Sequence, residues 1–139
     1  MQRTCIAVVD ASRARLFTLD RNAEQDPGTS PLVETADLVN PVRQLTQNEL
    51  DDHHNARAEQ LDRAFAKKIA TEVKHLTEDK RTSNLILCAG PHMLGELRRV
   101  SDVYERPQLE VEEIDRDLVK LTPSQLRDQL VAYGVLKLH

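Results

Sequence analysis

NLILCAGPHMLGELRR, residues Asn84 to Arg99, changes its periodicity half-way along. Leu85, Ile86, Leu87 and Cys88 form a short apolar run, Ala89-Gly90-Pro91 breaks it, and Leu94, Leu97 and Val100 then recur at helical spacing. A buried strand, a tight turn and a helix start produce that pattern, which is the half-unit of an α/β sheet. Such a junction leaves backbone N–H groups at the carboxyl end of a strand, where open sheets bind their ligands.

Working outward, the clearest helix precedes this stretch. Leu61, Phe65, Ile69, Val73 and Leu76 form its apolar stripe, with Arg63, Lys67, Lys68, Glu72 and Lys74 elsewhere on its surface. After the stretch, Arg106-Pro107 leads into a strand over Leu109 to Ile114. Thr122-Pro123-Ser124-Gln125 then has the form of a capping box, with Leu126, Leu130 and Tyr133 expected on the helix's inner face and Gly134 as its C-cap. At the start of the chain, Cys5 to Val9 is apolar and rich in β-branched residues, as in a strand buried on both faces. The polar turn Asp10-Ala11-Ser12-Arg13 joins it to an alternating strand over Ala14 to Leu19, so the two form a hairpin. A turn-rich loop from Asp20 to Pro31 leads to a third strand over Leu32 to Asp37, expected at the sheet's edge, and Leu38 to Gln60 reads as a long polar loop.

The resulting order is three strands, then helix, strand, helix, strand, helix. A meander followed by two right-handed crossovers gives an α/β, ribonuclease H-like fold: a five-stranded mixed sheet in the order 3-2-1-4-5 with helices packed on it. The whole chain, 1–139, reads as one domain of ordinary size. This topology places Asp10, Ser12 and Arg13 beside Gly90, Pro91 and His92 at one edge.

Composition limits function. Hydrophobic residues make up 40% and charged residues 30%, but aromatics only 3%, too few for platforms that stack single-stranded nucleic acid. A net charge of −4 argues against wide non-specific binding to phosphate backbones, although a local basic patch can still achieve it. The apolar run after Met1 is too short for a signal peptide or a membrane span, so the expected location is the cytoplasm and no membrane partner is expected. Cys5 and Cys88 then read as buried free thiols held too far apart to bond.

Three pieces together resemble a known family. DASRARLF from Asp10, the helix around AFAKKIATEV, and LILCAGPHMLGELRR followed by DRDLVKLTPSQL are similar to the bacterial host attachment proteins. That family is described as required for attachment to host cells and as related to domains of the archaeo-eukaryotic peptide release factors. The resemblance covers nearly the whole chain and implies a ribosome-linked ancestry, with the ribosome, tRNA or a translation factor as partner. The release factors' Gly-Gly-Gln loop has no counterpart. The matching stretch, Leu38 to Gln60, contains Gln44, Gln47 and Gln60 but no Gly-Gly-Gln, so peptidyl-tRNA hydrolysis does not carry over.

Asp10, Ser12, Arg13, Gly90, His92 and Arg98 make one candidate ligand-binding patch. Arg13 and Arg98 would supply forked donors, and the helix start at Gly90 would hold an anion. The bland alternative is that Asp10 and Ser12 satisfy their own turn, that Gly90 serves only a tight turn, and that the arginines are a solvated face. His53 and His54, beside Asp51 and Asp52, carry donor atoms suited to zinc or nickel but lack a recognisable ligand spacing. No P-loop, nucleophile elbow, dinucleotide fingerprint or paired-cysteine motif is present, so no cofactor and no catalytic residue is assigned. The expectation is a non-catalytic binding domain engaging the translation machinery, with a metal-dependent hydrolase of RNA or a phosphorylated substrate as the rival. An uncovered edge strand would allow a homodimer.

Overall fold

Apolar segments that must lose water on both faces take the middle of the sheet, and half-apolar ones take its flanks. The computed structural model describes residues 2–21, 32–40 and 56–136. Its elements are β1 (Gln2–Val9), β2 (Arg13–Arg21), β3 (Val33–Val39), α1 (Ala56–Thr77), β4 (Thr82–Ala89), α2 (Pro91–Val100), a 3-10 turn (Val103–Glu105), β5 (Glu110–Ile114) and α3 (Pro123–Ala132). The strands pair in the order β3-β2-β1-β4-β5, antiparallel through the meander and parallel from β1 to β4 to β5. This is the ribonuclease H-like arrangement expected from the order of elements.

Alternation along the two central strands divides the core in two. Cys5, Ala7 and Val9 join Leu85, Leu87 and Ala89 against α1 and α2, through Phe65, Ile69, Val73, Met93, Leu94 and Leu97. Ile6, Val8, Ile86 and Cys88 face the other way, against Leu118, Val119, Leu126 and Leu130 of the α3 layer. Cys5 and Cys88 therefore belong to opposite faces of the sheet. Both thiols are free and fully buried, and desolvation pushes each up to about 12.

The structure departs from the sequence reading at β3, at α1 and at the end of α3. β3 runs on to Val39, because Arg13 pairs with Val39 and the Asn40 N–H then donates to the Ser12 carbonyl at 2.8 Å. Helix α1 starts at Ala56, five residues before Leu61, since a turn without large apolar side chains gives no period to read. The expected loop from Leu38 to Gln60 thus shrinks at both ends, and residues 41–55 lie outside the described residues. Tyr133 is 41% exposed rather than on the inner face of α3. Gly134, at φ +79°, turns the chain back so that Leu136 fills that position, with the Val135 and Leu136 N–H groups both donating to the Leu130 carbonyl at 3.1 and 3.3 Å.

One buried charge joins the layers. Arg15, on the α3 face of β2, is 8% exposed. Its Nε donates to Glu34 of β3 at 2.6 Å, its Nη1 donates to the carbonyls of Val119 and Leu121 at 3.0 and 2.7 Å, and its guanidinium lies 5.1 Å from the Phe17 ring centre. The linker from β5 to α3 is held on the sheet by these bonds. Replacing Arg15 with Met keeps the apolar stem but strands two carbonyls and the Glu34 carboxylate. Urea unfolding should then show a loss of about 2–4 kcal/mol without a change in slope.

Candidate functional site

Parallel pairing of Val9 with Ala89 makes Asp10 and Gly90 leave neighbouring strands at the same rung. Asp10 then shapes the turn that follows. Its Oδ1 accepts from the Ser12 N–H at 2.7 Å, the Ser12 hydroxyl at 2.9 Å and the Arg13 N–H at 2.7 Å. Asn40, 3% exposed at the end of β3, holds the same turn from the other side, its Nδ2 donating to the Ala11 carbonyl at 3.0 Å. The turn is therefore a fixed polar ledge.

Across from it, α2 begins at Gly90 with no side-chain cap. The Leu94 N–H reaches the Gly90 carbonyl at 3.0 Å and Pro91 has no N–H. The N–H groups of His92 and Met93 are the first-turn donors that no helical carbonyl can reach. Gly90 has φ −68° and ψ 168°, which any residue adopts, and among the described residues a Cβ built there meets no atom within 4 Å. A tight turn therefore does not require this glycine, contrary to the bland sequence reading, and among the described residues the space above it is open.

His92, 53% exposed at its side chain, places Nε2 2.9 Å from Oδ2 of Asp62, whose side chain is 1% exposed. Asp62 was not among the candidates read from sequence. Its signal was an acid on the inward stripe of α1, four residues before Ala66 and seven before Ile69. Asn40 was likewise not among the candidates, falling inside the stretch that read as a long polar loop.

The two candidate arginines lie elsewhere. Arg13 turns its guanidinium to Asp37 of β3, with bonds of 2.8 and 2.6 Å, and that hydrogen-bonded pairing lowers the Asp37 carboxyl from its usual range. Arg98 sits about 12 Å along α2 from Gly90 at helical rise. It grips Glu113 of β5 through Nε and Nη2, and the Tyr104 hydroxyl donates to the same carboxylate at 2.6 Å. The fold thus gathers Asp10, Ser12, Gly90 and His92 at the strand ends and ties both arginine side chains to acids outside that cluster. His53 and His54 lie outside the described residues. Among the described residues no group of three or more potential metal ligands forms, and no helix is long and apolar enough to cross a membrane.

Comparison with known proteins places this geometry. A family model described as "Protein required for attachment to host cells" matches residues 43–130. Among solved structures, the type II variant of the Ppx/GppA phosphatase of Aquifex aeolicus is similar at a TM-score of 0.52 and 12% identity, over 81% of this chain and 36% of that one. The archaeal translation termination factor aRF1 gives a TM-score of 0.42 at 14% identity, over 95% of this chain and 39% of that one. The chain spans little more than a third of the length of either, and at such identity the likeness to the phosphatase is one of fold. No curated protein matches the chain.

The Arg98–Glu113–Tyr104 cluster can be followed by its phenol. Burial and the bond to Glu113 raise Tyr104 above an ordinary tyrosine. In Glu113→Gln the charge that opposes the phenolate is gone, so ultraviolet titration should show Tyr104 ionising at lower pH than in the parent.

Proposed function

The chain belongs to the family of proteins required for attachment to host cells, and we propose that it is a non-catalytic binding domain, a single unit over 1–139, which engages a component of the translation machinery through the ends of β1 and β4. The observation that carries this reading is the open space over Gly90, flanked by the fixed Asp10 turn and the uncapped start of α2. Backbone donors fixed in advance beside open space lose little entropy when they bind a polar ligand. The partner class comes from the release-factor relationship read in the sequence. Two buried free thiols support a cytoplasmic setting. The edge of β3, which no strand covers among the described residues, with Val33 and Val39 exposed, supports a homodimer.

Gly90→Val tests the site with little cost to the fold, since the backbone angles suit valine and nothing stands in its way. Tagged parent chain should co-purify ribosomal RNA or translation factors from native lysate, and Gly90→Val should lose them while its thermal midpoint stays within a few degrees. Capture that is unchanged in Gly90→Val, or a parent that brings down neither, would refute the reading.

A second reading is favoured by one contact. A buried aspartate behind an exposed histidine is how a general base is oriented, so His92 with Asp62 suits a hydrolase acting on RNA or a phosphorylated substrate. Asp10, and an ion held near His53 and His54, would complete such a site. Metal-dependent cleavage of labelled RNA that falls at least a hundredfold in both His92→Ala and Asp10→Ala would establish it. Cleavage that survives either substitution would rule it out.

A further inference from the structure

Helices α1 and α2 run side by side from the carboxyl end of the sheet towards its amino end, and the seam between them is polar. Glu96 of α2, 5% exposed, forms its floor. Arg63 of α1 donates its Nε to Glu96 Oε2 at 3.2 Å, and Arg99, one turn further along α2, places Nη1 3.7 Å from Oε1. Both arginine side chains remain open to solvent, at 43% and 67%. Below them opens a groove of about 530 Å³ whose lining includes Lys67 and Lys74 of α1, Arg99 and the exposed acid Asp102, and the apolar Ala70 and Val100. Lys67 and Lys74 are exposed, and neither makes an ion pair among the described residues.

The arrangement sorts charge by depth. The acids between the helices, Asp62 and Glu96, are buried and the cations stand on the rim, where Asp102 is the one exposed acid of the groove's lining. Lys74 and Arg99 also lie in the last turns of their helices, where cations complement the dipole. Lys67 is mid-helix and has no such reason. In a chain with a net charge of −4, Lys67, Lys74 and Arg99 beside the single exposed acid Asp102 make this groove a local inversion. The exposed acids Glu110 and Glu112 lie on the other side of the sheet, paired in register with Asn84 and Ile86.

We propose that this groove docks the phosphodiester backbone of double-helical RNA, with Lys67, Lys74 and Arg99 contacting phosphates and Glu96 acting as a positioning residue for Arg63 and Arg99. Lys67 and Lys74 stand about 10 Å apart along α1, enough to reach separate phosphates. Among the described residues, the exposed large apolar side chains are Val33, Val39, Tyr104 and Tyr133, and none lines the groove. A protein partner would want such an anchor, and a single strand would want an aromatic to stack on. The backbone of a duplex needs neither, and the hydroxyls of Thr71 and Ser101 offer contacts to ribose 2′-OH groups. The inference goes beyond the strand-end reading and uses a different surface, so either can fail alone.

The test is fluorescence anisotropy with the purified chain and a labelled RNA hairpin, repeated over a salt series. Binding should weaken with salt at a log–log slope of roughly −2.7 for three phosphate contacts. Lys67→Glu with Lys74→Glu should bind about thirtyfold more weakly, with a slope shallower by about two, while Lys120→Glu before α3 changes affinity less than about twofold. Glu96→Gln separates positioning from net charge. It removes a negative charge, so simple attraction predicts tighter binding, whereas loss of the fixed arginines predicts weaker binding, about fivefold. Circular dichroism melts confirm that each variant is folded. A parent without salt-dependent binding, a double variant that binds like the parent, equal affinity for a DNA duplex of the same length, or equal capture of poly-glutamate would overturn the proposal. Tighter binding by Glu96→Gln would overturn the role of Glu96.

Discussion

Burial of β1 and β4 on both faces is the constraint from which the rest of the structure follows. Residues Cys5 to Val9 and Leu85 to Ala89 are almost wholly removed from water. A strand that is apolar on both sides must be covered on both sides, so α1 and α2 take one face and α3 takes the other. Their parallel pairing also brings two chain reversals to one end of the sheet. The meeting of the Asp10 turn with the start of α2 is thus a by-product of how the core is closed.

Where charges enter this interior they are paired across elements. Arg15 bridges β2, β3 and the linker before α3, and Asp62 and Glu96 bridge α1 and α2. Such groups contribute little net stability, because desolvation offsets much of their attraction, but each is costly to leave alone. Each contact ties one particular position of an element to another: Asp62 to His92 and Arg63 to Glu96 between α1 and α2, and Arg15 to Glu34 between β2 and β3. The same contacts decide what the surface presents. Asp37 and Glu113 draw the guanidiniums of Arg13 and Arg98 away from the strand ends, while Glu96 holds Arg63 and Arg99 on the rim of the helix seam.

Much of this was legible in the chain. Apolar runs, the capping box at Thr122 and the turn residues after Val9 and Ala89 located every strand and helix of the described fold, because local periodicity and turn chemistry act over a few residues. Asp10 and Ser12 were legible for the same reason, as an aspartate followed by a serine before a strand satisfies its own turn. Arg13 and Arg98 were legible as charges but not as contacts, since their partners lie 24 and 15 residues away in sequence. Tyr133 misled by sitting at helical spacing from Leu126 and Leu130 although it is the C-cap, one step past the last helical residue and one before Gly134 turns the chain.

The amino-acid sequence by itself determined the order of elements, the sheet topology that this order permits, the buried state of both cysteines and the family, all of which depend on short-range pattern or on burial. Only the tertiary structure decided which candidate side chains are engaged and which are open. Asp62 behind His92, Asn40 behind the Asp10 turn, and Glu96 between Arg63 and Arg99 are meetings of residues distant in the chain. Hydrogen bonds and ion pairs act only within a few ångströms, and those distances exist once packing has set the helices on the sheet.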